Sequence, residues 1–182
     1  SDNAATLDAV AGPAAIVSGS CSEATNGQVA VWRAAGRTAL HIDPLALHQG
    51  TQTADGVLAQ ARAALAQGPV LVYATAAPDS VKAVQAALGV QAAGELVEHA
   101  LAHIARGLVA AGVRRLVVAG GETSGAVVLA LQVAQLRIGA SICPGVPWTQ
   151  AQLPGSGEPL LLALKSGNFG GPDFFLDTTQ TA

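Results

Sequence analysis

At 182 residues, 51% hydrophobic and 12% charged, the chain has the content of a packed domain and excludes a disordered one. A formal charge of -3 with no basic run of five or more excludes an electrostatic nucleic-acid surface. No apolar stretch reaches the roughly 18 residues that a membrane-spanning helix needs.

The opening Ser1-Asp2-Asn3-Ala4 reads as a cloning scar, so residues 1–182 are expected to be a single domain cut from a longer protein. Residues 14–18 are a short apolar run with strand character. Ser22 is placed to cap a helix from Glu23 to Ala35, and Gly36 ends it. Thr38–Ile42 reads as a second strand closed by Asp43-Pro44. A helix is expected from Ala54 to Gln67, stopped by Gly68-Pro69. Val70–Ala74 is a third strand, followed by a turn over Thr75–Ser80 and a short helix over Val81–Leu88. A longer helix covers Gly94–Ala110, with Gly112 behind it. Leu116–Ala119 is a fourth strand and Ser124–Leu136 the helix after it. Ile138–Cys143 reads as a strand, Pro144–Trp148 as a rigid turn and Leu160–Lys165 as the last strand, with irregular chain from Ser166 onward.

Most of these strands are continuous apolar runs separated by helices. That pattern belongs to a mostly parallel sheet covered by helices on both faces, a three-layer αβα fold. In such a sheet the strands end at one edge, and ligands bind in the crevice there. Three Gly/Ser turns follow strand ends: Ser18-Gly19-Ser20-Cys21-Ser22, Gly120-Gly121-Glu122-Thr123-Ser124, and Lys165-Ser166-Gly167-Asn168-Phe169-Gly170. They are far apart in sequence and expected to converge in space. Glycines let the backbone approach a ligand, and a strand–turn–helix join offers unpaired N–H groups to an anion. Thr123 or Ser124 offers a hydroxyl, Glu122 a partner for a ribose hydroxyl or a magnesium-bound water, and Lys165 a cation in reach of phosphate.

Other candidates carry less. His99 and His103 share a helix face, but no Glu follows His99, and Glu95 and Glu98 make that face a solvated one. No metal ligands are assigned. Cys21 and Cys143 fit two free thiols in a reducing, cytoplasmic setting. Asp43 closes the second strand, where dinucleotide-binding folds read ribose. The first turn lacks Gly-x-Gly-x-x-Gly, and no Gly-x4-Gly-Lys-Ser/Thr occurs.

At these turns the chain resembles the C-terminal, nucleotide-binding half of the four-carbon acid sugar kinases. The matching stretches are Ser18–Ser22, Ala119–Gly125, Pro144–Trp148 and Leu164–Gly170 followed by Asp173-Phe174-Phe175, in the family's order. The closing Lys-Ser-Gly-Asn-Phe-Gly is similar to that of the 3-oxo-tetronate kinase branch. The resemblance implies an ATP- and Mg²⁺-dependent carbohydrate kinase that phosphorylates the C4 hydroxyl of a four-carbon acid sugar such as 3-oxo-tetronate. It implies that Ser18, Gly120, Gly121, Glu122, Thr123 and Gly167 contact ATP. Family members carry a preceding N-terminal domain that binds the sugar acid and supplies the base. The isolated piece is therefore expected to bind nucleotide but to turn over slowly or not at all, and no catalytic residue is assigned. A homo-oligomer is compatible with the resemblance. Two other readings stand beside it: a Rossmann-type dinucleotide-binding domain of an oxidoreductase that uses Asp43, and a non-catalytic sensor of nucleotide or sugar phosphate.

Overall fold

The computed structural model describes residues 6–180, so the stretch read as a scar lies outside the described residues. Helices and strands alternate along most of the chain: β1 (Ala14–Ser18), α1 (Glu23–Ala34), β2 (Thr38–His41), α2 (Pro44–Gln49), α3 (Ala54–Ala64), β3 (Val70–Tyr73), α4 (Pro78–Leu88) and α5 (Val90–Ala110). Then come β4 (Arg115–Ala119), α6 (Gly121–Leu131), β5 (Arg137–Cys143), β6 (Val146–Gln152), β7 (Pro159–Lys165) and α7 (Phe174–Thr179). The sheet order is β2-β3-β1-β4-β7-β6-β5. β2, β3, β1, β4 and β7 run parallel, and β6 is antiparallel to both β7 and β5.

Period-2 alternation divides each central strand between two cores. Ala15 and Val17 of β1, Val70 and Val72 of β3, and Leu116 and Val118 of β4 join the core under α3, α5 and α6, with Leu101, Ile104 and Leu108. Ile16, Leu71, Tyr73 and Val117 face the other way, onto Val29 and Trp32 of α1 and Phe174 and Phe175 of α7. Helices therefore cover both faces, which is the three-layer arrangement expected. Trp32 is fully buried and donates its indole N–H to Thr38 O at 2.9 Å, so the largest side chain of the second core leaves no orphan donor.

Three elements depart from the expectations. Asp43-Pro44 opens α2 rather than merely closing a strand. Asp43 Oδ1 accepts from Leu45 N at 3.0 Å and the proline occupies the first helical turn, where its missing N–H costs nothing. Pro144–Trp148 is not a rigid turn throughout: Val146 begins β6, and Pro147 sits beside register shifts in the β5–β6 pairing, where proline fits an irregular ladder. The chain after Ser166 is not wholly irregular, because burial of Phe174 and Phe175 folds the short α7. Three helices start earlier than the sequence suggested, α4 at Pro78, α5 at Val90 and α6 at Gly121, and α6 ends at Leu131 rather than Leu136 because Gln132 turns left-handed at a φ of +56°.

The carboxyl edge of the parallel strands is laced by backbone. Ile42 N donates to Tyr73 O, Ala74 N to Ser18 O, Gly19 N to Ala119 O and Gly120 N to Lys165 O, all within 2.9 Å. Each turn is thus hung from the last carbonyl of the neighbouring strand. β1 lies between β3 and β4, so the chain reverses its direction of travel across the sheet there. That is where an open parallel sheet offers its crevice.

Candidate functional site

A cleft of about 780 Å³ opens at this edge. Its floor is the turn after β1 (Gly19, Ser20, Cys21), the turn after β4 (Gly120–Thr123) and Gly167 after β7. The three turns touch. A Cβ on Gly19 would lie 2.1 Å from Thr123 Oγ1, one on Gly120 3.2 Å from Ser20 N, and one on Gly167 2.2 Å from Ser20 Oγ. These three positions require glycine because another turn occupies the space of a side chain. Gly120 adds a φ of +118°, a conformation that side chains rarely adopt.

The glycine turn leaves α6 without a side-chain cap. Ser124 N makes the first helical bond, to Gly120 O at 2.9 Å, and the amides of Gly121, Glu122 and Thr123 have no backbone partner among the described residues. The carbonyl of Ala119, next in line to receive them, is taken by Gly19 N and Ser20 N. Three amides at the positive end of a helix therefore face the cleft side of the turn, an arrangement suited to a phosphate or carboxylate. Thr123 is only 3% exposed and its hydroxyl makes no hydrogen bond with the described residues. Neither Thr123 nor Ser124 caps the helix.

Ser18 lies beneath the floor. It is fully buried, and its hydroxyl is 2.6 Å from that of Thr75. Glu122 is exposed at the start of α6 and lines the cleft. Lys165 does not: it is 1% exposed, and its Nζ donates inward to Thr25 Oγ1 at 3.0 Å and Gly167 O at 2.9 Å. Burial pushes this amine down to about 8, opposed by the charge of Cys143. The expectation of a lysine reaching out to phosphate therefore fails, because the side chain folds back under its own turn.

The walls were not anticipated. Pro44 and Leu45 of α2, Val81 and Val84 of α4, and Val90, Ala93 and Val97 of α5 make one side apolar. Glu98, read as part of a solvated face, lines the cleft with them, while Glu95 is exposed. A hydrogen bond with Glu122 raises the Glu98 carboxyl to about 7, with smaller contributions from burial and from the charges of Glu122 and Glu95. The signal was present in the spacing. Val90, Ala93/Gly94 and Val97/Glu98 recur at three and four residues, so Glu98 shares the face that Val90 begins. His41 also lines the cleft; burial lowers its pKa, with Asp43 raising and Arg33 lowering it. Asp43 reaches the cleft too, but one carboxylate oxygen is committed to capping α2. His103 pairs with Asp55 at 2.6 Å on the open surface, away from the cleft.

Residues 15–175 match a family model described as the nucleotide-binding C-terminal domain. A 3-oxo-tetronate kinase of Cupriavidus necator is 61% identical over 173 residues, which are 95% of this chain and 39% of that protein. Another, of Burkholderia multivorans, is 62% identical over 174 residues, 96% of this chain and 40% of its own length. The crystal structure of a Haemophilus influenzae protein superposes with a TM-score of 0.86 at 37% identity, covering 97% of this chain and 41% of that one. The chain spans about two-fifths of the length of these relatives.

Proposed function

Because the chain belongs to the family of nucleotide-binding C-terminal domains, we propose that it is the ATP-binding domain of a kinase that phosphorylates the C4 hydroxyl of a four-carbon acid sugar such as 3-oxo-tetronate. The observation that carries this reading is the meeting of three glycine turns at one edge, beside the uncapped start of α6. The names of the relatives supply the substrate class. An N-terminal sugar-acid domain of the same polypeptide would complete the protein, consistent with the share of the relatives that this chain spans. Residues 1–182 then act as one nucleotide-binding unit in the cytoplasm; no described helix is long and apolar enough to cross a membrane.

Phosphoryl transfer depends on positioning and charge stabilisation rather than on covalent chemistry by the protein. In this domain the amides of Gly121, Glu122 and Thr123 hold phosphate oxygens, and the free Thr123 hydroxyl adds a donor. Gly120 and Gly167 let the turns close on one another and so present their backbone to the nucleotide. Ser18 acts from below: its bond to Thr75 fixes the end of β1 and thereby the Gly19–Cys21 turn. The apolar wall from α2, α4 and α5 suits a base, and Glu98 and Glu122 place carboxylate oxygens in the same cleft. A hard cation takes such oxygen donors, so the residues fit Mg²⁺, which when bound offsets phosphate charge.

Titration of the chain with ATP and with NAD tests the reading. Saturable, Mg²⁺-dependent ATP binding without NAD binding is expected, and NAD preference would favour the dehydrogenase alternative. ATP-dependent phosphorylation of a tetronate by the chain joined to its sugar-acid domain would exclude a mere sensor.

A further inference from the structure

Lys165 is the largest buried group that this function leaves without a task. It is 1% exposed, and its Nζ reaches only hydroxyl and carbonyl oxygens: Thr25 Oγ1 at 3.0 Å, Gly167 O at 2.9 Å and Ser166 O at 3.4 Å. No carboxylate pairs with it among the described residues. A cation buried without a counter-ion is costly, and a methionine would fill the same space without that cost.

The Gly167 carbonyl oxygen explains why an ammonium sits there. Three donor atoms lie within 2.9 Å of it: Ser22 Oγ at 2.6 Å, Thr25 Oγ1 at 2.9 Å and Lys165 Nζ at 2.9 Å. The two hydroxyls do not fix which way the peptide faces. Each has one proton and two lone pairs, and each has another partner: Ser22 Oγ is 2.9 Å from Thr25 Oγ1, and Thr25 Oγ1 is 3.1 Å from Ser20 Oγ. If the Gly167–Asn168 peptide turned over, both could rotate and accept its N–H. The ammonium cannot, because it carries donors and no acceptor. Glycine makes such a turnover easy, and the planar trans peptide ties the two ends together: carbonyl inward means Asn168 N–H outward. That N–H has no partner among the described residues.

Resting on the nucleotide reading above, we propose that Lys165 is a positioning residue: it locks the Gly167–Asn168 peptide carbonyl-inward, so that the Asn168 N–H stays turned out as a further donor to the bound nucleotide. Lys165 itself never touches the phosphates. Thr25 of α1 and Ser22, the residue that caps it, meet the same carbonyl, which joins the turn after β7 to the turn after β1.

The test is ATP affinity, melting temperature and the Asn168 amide resonance of the 182-residue chain, for the unaltered protein and for Lys165→Met. In the unaltered protein the Asn168 amide is expected as one peak that moves on adding ATP. In K165M it should broaden or split, and ATP binding should weaken by about tenfold. The melting temperature should not fall, because a poorly solvated charge has been removed. A lysine that merely holds the fold together would instead lower the melting temperature and the affinity together. Should K165M fail to fold, Thr25→Val decides the matter. It removes the oxygen that anchors the Lys165 ammonium beside the carbonyl, so the lock loosens and ATP binding should weaken by about fivefold. Unchanged ATP affinity in the folded variant, with a single Asn168 peak, overturns the proposal and leaves the nucleotide reading standing. Absence of ATP binding to the unaltered chain would overturn both.

Discussion

The carboxyl edge of the parallel strands and the β5–β6 hairpin use the same kinds of residue for opposite ends. At the edge, Gly19, Gly120 and Gly167 sit where a neighbouring turn fills the space of a Cβ, and buried hydroxyls and an ammonium order the backbone between them. In the hairpin, Gly145 turns the chain at a φ of +85° with the Phe169 ring over the space of its Cβ, the register slips, and Ile138 stays 58% exposed. Glycine in the first region keeps turns in contact; in the second it closes a ribbon. The lesson is that a site is marked less by glycine content than by several glycines gathered at one edge, where the turns fill the spaces of each other's missing side chains.

Substitutions at the edge should be the most damaging. Gly19→Ala would drive a methyl into Thr123 Oγ1. It should destabilise the domain by about 1–3 kcal/mol, as overpacking does, and abolish measurable ATP binding. Gly120→Ala meets a φ of +118° and is expected to cost about 1–3 kcal/mol by chemical denaturation. Thr123→Val separates function from packing. The hydroxyl makes no bond among the described residues, so stability should hold while ATP affinity falls about tenfold. Equal loss of stability would show that the hydroxyl is structural after all.

Gly27 offers the contrast. It lies on the exposed side of α1, and a Cβ there meets nothing within 4 Å. Gly27→Ala should raise stability by about 0.5–1 kcal/mol and leave ATP affinity unchanged.

A smaller effect concerns pH. The Glu98 carboxyl is raised from 4.5 to about 7 in the folded protein, chiefly by its hydrogen bond with Glu122. The native state therefore holds a proton that the unfolded chain has already lost. Stability from this group is present below pH 4.5 and declines as pH rises from 4.5 to about 7. Glu98→Gln should flatten that part of a melting-temperature profile; an unchanged slope would assign it to another group.

Much of the parallel region was legible in the sequence, because strands buried on both faces announce themselves as Ala-Ala-Ile-Val-Ser or Leu-Val-Val-Ala. The convergence of the three turns followed from the rule that parallel strands end together. The hairpin was harder: Pro147 argued against a strand, and only the irregular pairing with β5 accommodates it. The short α7 rests on the burial of two phenylalanines, which no local pattern reveals. Within the site, the floor could be read but the walls could not. Glu98 and the apolar residues of α5 acquire their meaning only from how the helix lies across the sheet edge. Lys165 was misjudged because a cation next to a glycine turn looks like a ligand, and only its inward hydrogen bonds show otherwise.

The central claim is that the start of α6 and the turns beside it hold a nucleotide's phosphates. A crystal structure of the chain with a non-hydrolysable ATP analogue and Mg²⁺ tests it most directly. Phosphate oxygens within hydrogen-bond reach of the Gly121, Glu122 and Thr123 amides, with the nucleotide against Gly167, are the expected result. A nucleotide bound elsewhere, or phosphates turned away from α6, would contradict it.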